Sequence, residues 1–172
     1  QAELDKLEKA MVKFAKSLAV WSWAEGIRGF GAKSLARIIG ESGDLSLYAN
    51  PAKLWKRFGL APFKGKMCST WRRKGGLHAD EWSEVGYNPR RRSVVWNVGE
   101  CLVKLNQTGA YRKRYDEQKA KKVALASEDW KLIRCHNHGK LMAEKLLILD
   151  LWKAWRGIGG LTLVTDTEVA EP

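Results

Sequence analysis

Residues 88–105 read NPRRRSVVWNVGECLVKL, and this stretch decides the fold class. Asn88 offers a side chain that can cap a helix, and Pro89 suits the first helical position, where its missing N–H leaves no hydrogen bond unmade. Apolar side chains then recur at the spacing of one helical face, at Val94, Val98, Cys101, Leu102 and Leu105. The pattern predicts a helix over residues 89–105 and favours a mainly α fold.

Helices are predicted on both sides of this one. Asn50-Pro51 repeats the capping residue and the proline, and Gly59 follows where that helix is expected to stop. The predicted helices lie over residues 32–39 (ended by Gly40 and Gly43), 51–58, 110–125 and 140–156. Residues 63–85 have no helical period. Because Met67–Trp71 reads as a short strand and Gly75-Gly76 as a turn, we expect a short β-hairpin near residues 63–85.

An apolar stripe lies near the N-terminus. Its members are spaced three and four residues apart, at Leu4, Leu7, Met11, Phe14, Leu18 and Trp21. We expect an amphipathic helix over residues 4–21 that packs onto the domain, with a homo-oligomer formed through this helix as the alternative. The chain is therefore divided into an N-terminal helix, a helix-hairpin-helix domain and a flexible acidic tail, with the bounds 1–23, 24–156 and 157–172.

Composition limits the class of protein. The 172 residues carry 31 Lys and Arg against 19 Asp and Glu, a formal net charge of +12. A hydrophobic fraction of 45% with nine Trp supplies a core, which excludes a disordered basic tail. No apolar run approaches the roughly 18 residues of a membrane span. The three cysteines lack the paired spacing of a disulfide framework, so a reducing, cytoplasmic location is expected.

The cations are clustered along the chain. The stretch from Pro51 to Gly75 is basic and contains no acidic residue, and Arg90, Arg91 and Arg92 stand in the first turn of a predicted helix. Cations there oppose the helix dipole, and a bound phosphate would compensate them, because the guanidinium fork matches phosphate oxygens. The alternative is that the arginine side chains bend away from the helix terminus. A polyanion, with duplex DNA first, is the expected partner.

A glycine turn, Ile27-Arg28-Gly29-Phe30-Gly31, precedes the helix predicted from residue 32. Glycines adopt backbone conformations barred to other residues and remove side chains that would keep a phosphate from main-chain N–H groups. This segment resembles a helix-hairpin-helix element, which grips a nucleic-acid backbone without reading bases; a plain turn between helices is the alternative. The candidate nucleic-acid-binding residues are Gly29, Gly31, Lys33, Lys64, Lys66, Arg72, Arg73, Lys74, Arg90, Arg91 and Arg92.

A wider resemblance covers about residues 24–105. In their order and spacing, short motifs resemble the C-terminal domain of the RuvC-plus-serine transposases, the bridge-RNA-guided recombinases of insertion sequences. These motifs are Gly43-Asp44, Gly59-Leu60-Ala61-Pro62 and Gly86-Tyr87-Asn88, the last followed by Arg91 and Arg92. The resemblance implies a nucleophilic serine after the second motif, and Ser69 comes nearest to it. It also implies metal-binding carboxylates in a RuvC-like domain, which residues 1–23 are too short to form.

These observations predict a DNA-binding protein that grips duplex backbone phosphates, as an accessory or regulatory factor of a mobile element or virus, of bacterial or viral origin. The alternatives are a recombinase subunit that uses Ser69 as nucleophile and an RNA-binding module. The balance is against an enzyme, because no base or oxyanion donor is identified for Ser69. No metal or cofactor is expected, since Cys135-His136-Asn137-His138 lacks the spacing of common zinc sites.

Overall fold

The structure is a computed structural model, and it describes residues 2–68, 78–126 and 132–157. Its helices and strands are α1 (Ala2–Ser17), α2 (Trp21–Ala24), α3 (Ala32–Ser42), α4 (Pro51–Arg57), β1 (Pro62–Phe63), β2 (Lys66–Met67), α5 (Ala79–Val85), α6 (Pro89–Leu105), α7 (Ala110–Ala124) and α8 (Leu132–Gly157), with a 3-10 turn at Leu45–Leu47. The two strands pair antiparallel. The prediction of a mainly α fold with a short β-hairpin is confirmed.

Helix α8 forms the centre of the fold. It is 26 residues long, and α7, α6 and α4 pack against it. Buried residues recur along it at every fourth position, at Cys135, Gly139, Ala143, Leu147, Leu151 and Trp155. Leu35 and Ile38 of α3 and Leu102 of α6 belong to the same buried cluster, so one core joins both halves of the chain.

Two tryptophans tie the end of α8 to the 3-10 turn. The indole N–H of Trp155 donates to the Asp44 carboxylate over 2.8 Å, and that of Trp152 donates to the Tyr48 carbonyl over 2.9 Å. A buried indole requires such a partner for its N–H, and Trp155 is 1% exposed. The ring of Trp155 therefore belongs to the core and is not available to stack on a nucleic-acid base.

The helix predicted over residues 89–105 has those bounds in the structure. The Asn88 side chain accepts from the N–H of Arg90 over 2.8 Å, and Pro89 occupies the first helical position. The buried face differs in part from the predicted one, since it consists of Val95, Val98, Gly99, Leu102 and Val103 while Leu105 is exposed. The reason is that α6 packs against both α3 and α8, so two faces turn inward.

We expect Asn88→Ala to lower the free energy of unfolding by about 1 kcal/mol, because an N-cap hydrogen bond is lost. Asn97, exposed in the middle of α6, is the matched control. Asn97→Ala should raise stability by a few tenths, roughly 0.3–0.6 kcal/mol, since alanine is the better helix former. Urea unfolding followed by circular dichroism measures both variants. Equal effects at the two asparagines would contradict the capping role.

Other helix ends moved by a few residues. Helix α3 runs through Gly40 and ends at Ser42, before Gly43 with φ of 74°. Helix α8 begins eight residues before the predicted start at residue 140, so the Cys135–His138 segment is helical. Helix α4 ends just before Phe58 and Gly59, close to the prediction. A glycine therefore marks the end of a helix only where its own backbone leaves the helical region, as at Gly43, and not where it stays helical, as at Gly40.

The segment expected to lack helices contains one. Residues 79–85 form α5, whose first turn is held by Glu81, because its carboxylate accepts from the N–H of His78 over 3.1 Å. Of the strand predicted at Met67–Trp71, residues 69–71 lie outside the described residues, and Met67 belongs to β2. The observed hairpin turns at Lys64 and Gly65, with φ of 46° and 72°, a pair of left-handed residues that suits a two-residue hairpin turn. Gly75-Gly76 lies outside the described residues.

The N-terminal helix packs onto the domain as expected, but mostly through residues outside the predicted stripe. Helix α1 ends at Ser17, and it turns Val12 and Ala15 toward α3. Of the predicted members, Leu18 is buried and Trp21 half-buried, whereas the first four are exposed: Leu4, Leu7, Met11 and Phe14. The inward face is thus set by small and β-branched residues that admit close helix contact. Three of the larger side chains, Leu4, Leu7 and Met11, line an open groove beside α3 and α6.

No helix within the described ranges is long and apolar enough to span a membrane.

Candidate nucleic-acid interface

The glycine turn approaches α6 closely at Gly29. This residue has φ of 92°, and a Cβ placed on it would lie 2.7 Å from the carbonyl oxygen of Cys101. Next to it, Phe30 is buried and meets the ring of Trp23 edge-on with centroids 6.2 Å apart. Gly29 is therefore required by its backbone conformation and by the packing of the turn on α6. Phe30 fills the core between helices.

Gly31 has the opposite surroundings. It is the N-cap of α3, with an extended backbone at φ of −86°, and a Cβ there would meet no described atom within 4 Å. Its own backbone carbonyl accepts from Ser34 and Leu35, but it has no side chain to cap the helix. The N–H groups of the first turn and their partial positive charge are therefore open to an anion.

Lysines from a second helix lie beside this terminus. A groove of about 600 Å³ runs between α1 and α3, and the cations that line it are Lys9, Lys13, Lys16 and Lys33, with Asp5 and Glu8 as its acids. Lys33 Nζ lies 2.5 Å from Glu8 Oε1, and this hydrogen bond holds the pKa of the Glu8 carboxyl below its usual value. The groove brings four cations together beside the first turn of α3, to which Lys33 belongs.

Sequence reasoning predicted Lys33 and missed the three lysines on α1. They recur at i, i+4 and i+7, which places them on one helical face. That spacing was the available signal. The spacing could not indicate that this face lies next to the N-terminal turn of α3, which begins later in the chain at Ala32.

The arginine triplet diverges in the structure. Arg90 is 85% exposed by side chain and its Nε lies 3.1 Å from Glu41, while Arg91 Nε lies 3.5 Å from the other oxygen of the same carboxylate. Arg92 is only 14% exposed and points inward. Successive helical residues are about 100° apart around the axis, so three in a row cannot share one surface. The carboxylates of Glu41 and Glu144 therefore compensate the positive charge of these three arginines.

The remaining predicted cations lie elsewhere. Lys64 at the hairpin turn is ion-paired with Glu81 of α5, and Lys66 is exposed on β2. Four predicted residues lie outside the described part of the chain: Ser69, Arg72, Arg73 and Lys74. Gly31 and Arg90 stand near opposite ends of α3, which at 11 residues is roughly 16 Å long. The structure thus separates the predicted set into several places.

Sequence reasoning also missed a buried charge cluster between α6 and α8. Arg92 Nη2 lies 3.0 Å from Glu144 Oε2, and Lys140 Nζ lies 2.5 Å from Glu100 Oε1. Lys140 and Glu144 are 0% exposed, and the ammonium of Lys140 lies 2.7 Å from the ring centroid of Trp96. The sequence signal for this cluster was Lys140 and Glu144, a charged pair one turn apart on an otherwise apolar face of α8.

The cluster changes the proton affinity of its members. Burial raises the pKa of the Glu144 carboxyl to about 7, against the opposing effect of Arg92 and Lys140. The hydrogen bond from Lys140 lowers the pKa of Glu100. Although Arg92 is near, neither carboxylate oxygen of Glu144 is aligned for a hydrogen bond with a described residue. The cluster is internal and holds helices together, so we assign it no part in an interface.

The cysteine and histidine segment lies on α8. His136 Nδ1 lies 2.7 Å from the Tyr115 hydroxyl, and burial lowers the pKa of His136. Cys135 is buried in the core. Among the described residues, no three His, Cys, Asp or Glu side chains are placed to hold a metal ion.

Comparisons with known proteins found no family model, curated protein or solved structure that matches this chain. The resemblance to the transposase C-terminal domain therefore stays a prediction.

Proposed function

We propose that this protein binds duplex DNA through backbone phosphates, with the uncapped N-terminus of α3 and the lysine groove as the central contact. The observation that supports it best is a groove in which three lysines of α1 meet Lys33, a residue in the first turn of the helix that Gly31 leaves without a side-chain cap. Main-chain N–H groups and ammonium groups both favour phosphate, and neither distinguishes between bases. The expected binding is therefore independent of base sequence and sensitive to salt.

Arg90 extends this surface. Its side chain is 85% exposed at the other end of α3, and its partner Glu41 offsets only part of the local charge because Arg91 shares it. A contact at each end of a helix roughly 16 Å long would hold a duplex at more than one phosphate. Arg92, being buried against Glu144, is not assigned a phosphate in this proposal.

The role as an accessory or regulatory factor of a mobile element rests on the resemblance of residues 24–105. The recombinase alternative needs Ser69, which lies outside the described residues. The RNA-binding alternative is distinguished from DNA binding by a comparison of affinities for the two nucleic acids.

Electrophoretic mobility shifts over a range of salt concentrations test the proposal on duplex DNA, single-stranded DNA and structured RNA. We expect duplex DNA to bind most tightly, with a slope of log K against log salt of about −3 to −4 for three or four neutralised phosphates. A salt-independent affinity would overturn phosphate binding. Tighter binding of RNA would select the RNA-binding alternative.

The variant Gly31→Asp tests the site itself. Aspartate is a good N-cap, so the fold should be kept or slightly stabilised, while its carboxylate occupies the helix terminus and repels phosphate. We expect at least a tenfold loss of duplex affinity. Ala120→Asp on α7, an exposed position with the same charge change, is the control and should cost much less. Equal losses would mean that net charge alone, and no site at α3, determines binding.

A further inference from the structure

A small pocket lies where α4 meets the helices α7 and α8. It holds about 200 Å³ and combines four apolar side chains with two cations, and these six are Trp55, Met142, Leu146, Leu149, Arg114 and Lys145. None of these lining residues is acidic. Pockets for drug-sized molecules begin at about 300 Å³, so this one has room for a single ring rather than for a helix or a long chain.

The two cations of the pocket lack a carboxylate partner within the described part of the chain. The ion pairs found there involve neither Arg114 nor Lys145, although both side chains are half-buried. Burial lowers the pKa of Lys145, and no carboxylate acts against it. Burial and the charges of Lys122 and Lys145 also lower the pKa of His138. Positive charge is thus in excess here, and an anion in the pocket would be stabilised.

The ring of Trp55 gives the pocket an aromatic wall. Its indole N–H donates to the backbone carbonyl of Lys145 over 3.1 Å, which fixes the half-buried ring between α4 and α8. A ring that is already ordered loses little side-chain entropy when a ligand stacks on it. Lys145 Nζ lies 5.2 Å from the ring centroid. Among the described residues this contact alone holds the ammonium, so it is free to turn toward an entering anion.

We propose that this pocket binds one unpaired nucleotide, with the base against Trp55 and the phosphate between Arg114 and Lys145. An inorganic anion would not need the aromatic and aliphatic lining, and a neutral ring would not need the two cations. A nucleotide joins a planar base to a phosphate and so matches both. Aromatic stacking beside basic side chains is a common way to hold single-stranded nucleic acid. The choice of a nucleotide among aromatic anions rests on the proposed function.

The pocket is separate from the proposed duplex site. The two share no lining residue, since one is built on α1 and α3 and the other on α4, α7 and α8. A duplex held by its phosphates at α3 needs no unpaired base, whereas a base inside a duplex stack cannot enter this pocket. Either proposal can therefore fail while the other holds.

Titration of the full chain with dAMP, followed by the indole N–H signals in proton–nitrogen NMR spectra, tests the pocket. The signal of Trp55 is the one absent from Trp55→Phe. We expect dAMP to shift it with a Kd on the order of 0.1–1 mM, since one stacked base and two charges contribute. Deoxyadenosine and inorganic phosphate should each bind at least tenfold more weakly. The absence of a shift at about 10 mM dAMP, or equally tight binding of phosphate alone, would overturn the proposal.

N-acetylphenylalanine distinguishes a nucleotide from the carboxyl terminus of a partner protein, because it also joins a planar ring to an anion. We expect it to bind at least tenfold more weakly than dAMP, since a carboxylate carries less charge and fewer oxygens than a phosphate monoester. Tighter binding than that of dAMP would assign the pocket to a peptide and overturn the proposal.

A double variant tests the cations. Arg114→Gln with Lys145→Gln removes both charges from the pocket and should weaken dAMP binding at least tenfold. Lys53→Gln with Lys113→Gln is the matched control, because it removes the same charge from exposed positions on α4 and α7. The control should weaken binding less than about threefold, as an exposed charge outside the pocket acts only through screened distance. Equal losses in the two double variants would mean that net charge, and not the pocket, determines binding.

The variant Gly31→Asp separates the two proposals and identifies the source of the nucleotide. It should lose duplex affinity and keep dAMP binding, whereas a chain that binds duplex DNA but not dAMP would overturn the pocket alone. In Gly31→Asp, a single-stranded pentanucleotide of deoxyadenosine reports mainly on the pocket. At least tenfold tighter binding of this strand than of dAMP supports a nucleic-acid strand as the ligand, and equal binding supports a free nucleotide.

Discussion

Glu144→Ala should lower the free energy of unfolding by about 3–5 kcal/mol at pH 8. Glu144 is fully buried, and its carboxylate lies 3.0 Å from Arg92, which is itself only 14% exposed. Removal of the carboxylate leaves a guanidinium inside the protein without its counter-charge, and breaking such a pair costs far more than the pair contributes. Urea unfolding followed by circular dichroism measures the loss. A cost below about 1 kcal/mol would contradict a buried, paired Arg92.

A double variant separates stranded charge from lost packing. Arg92→Met together with Glu144→Leu removes both charges and keeps most of the volume, so it should recover most of the loss. Glu144→Gln keeps the shape and removes only the charge. If the double variant is as unstable as Glu144→Ala, the loss of stability arises from packing and not from charge. Glu144 packs tightly on Gly99, since a Cβ added at Gly99 would come too close to Glu144 Oε1.

The same carboxyl makes stability depend on pH. Burial raises its pKa from an ordinary value of 4.5 to about 7 in the folded chain. Between these values the folded chain keeps a proton that the unfolded chain has released, so the contribution of Glu144 to stability falls as pH rises through this window. Glu144→Gln cannot ionise. Its stability relative to the unchanged chain should therefore increase from pH 5 to pH 8.

Gly29→Ala should cost about 2–4 kcal/mol, because it combines a strained backbone with overpacking. The added Cβ would lie 2.7 Å from the carbonyl oxygen of Cys101 at a φ of 92°. The obstacle is backbone in the middle of α6, which cannot turn aside as a side chain can. The glycine turn and α6 would have to separate, which exposes the buried Phe30.

Gly31→Ala, two residues later, is the matched control. Its φ of −86° suits any residue and a Cβ there meets no described atom within 4 Å. We expect a loss below about 1 kcal/mol, from the poorer N-cap alone. Thermal and urea unfolding compare the two variants. Similar losses at both glycines would contradict the close approach at Gly29. Because Gly29→Ala disturbs the fold, DNA binding is better tested at Gly31.

Much of the secondary structure could be predicted from the sequence because its signals are local. The Asn88-Pro89 and Asn50-Pro51 pairs act within one turn of their helices, and both helices begin where these residues predict. Helix α5 was not predicted, because seven residues are too few to show a helical period. The start of α8 was predicted too late, because polar residues interrupt the apolar pattern there.

Sequence alone determined the excess of positive charge, the main helices and the glycine turn, because composition, capping and backbone freedom are properties of neighbouring residues. The tertiary structure decided which charges remain outside. It turned Arg92 toward Glu144, brought the α1 lysines to the N-terminus of α3, and left the apolar stripe of α1 uncovered. These outcomes depend on which helix faces meet across long separations in the chain. Periodicity shows that a helix has two faces, but only packing selects the one that turns inward.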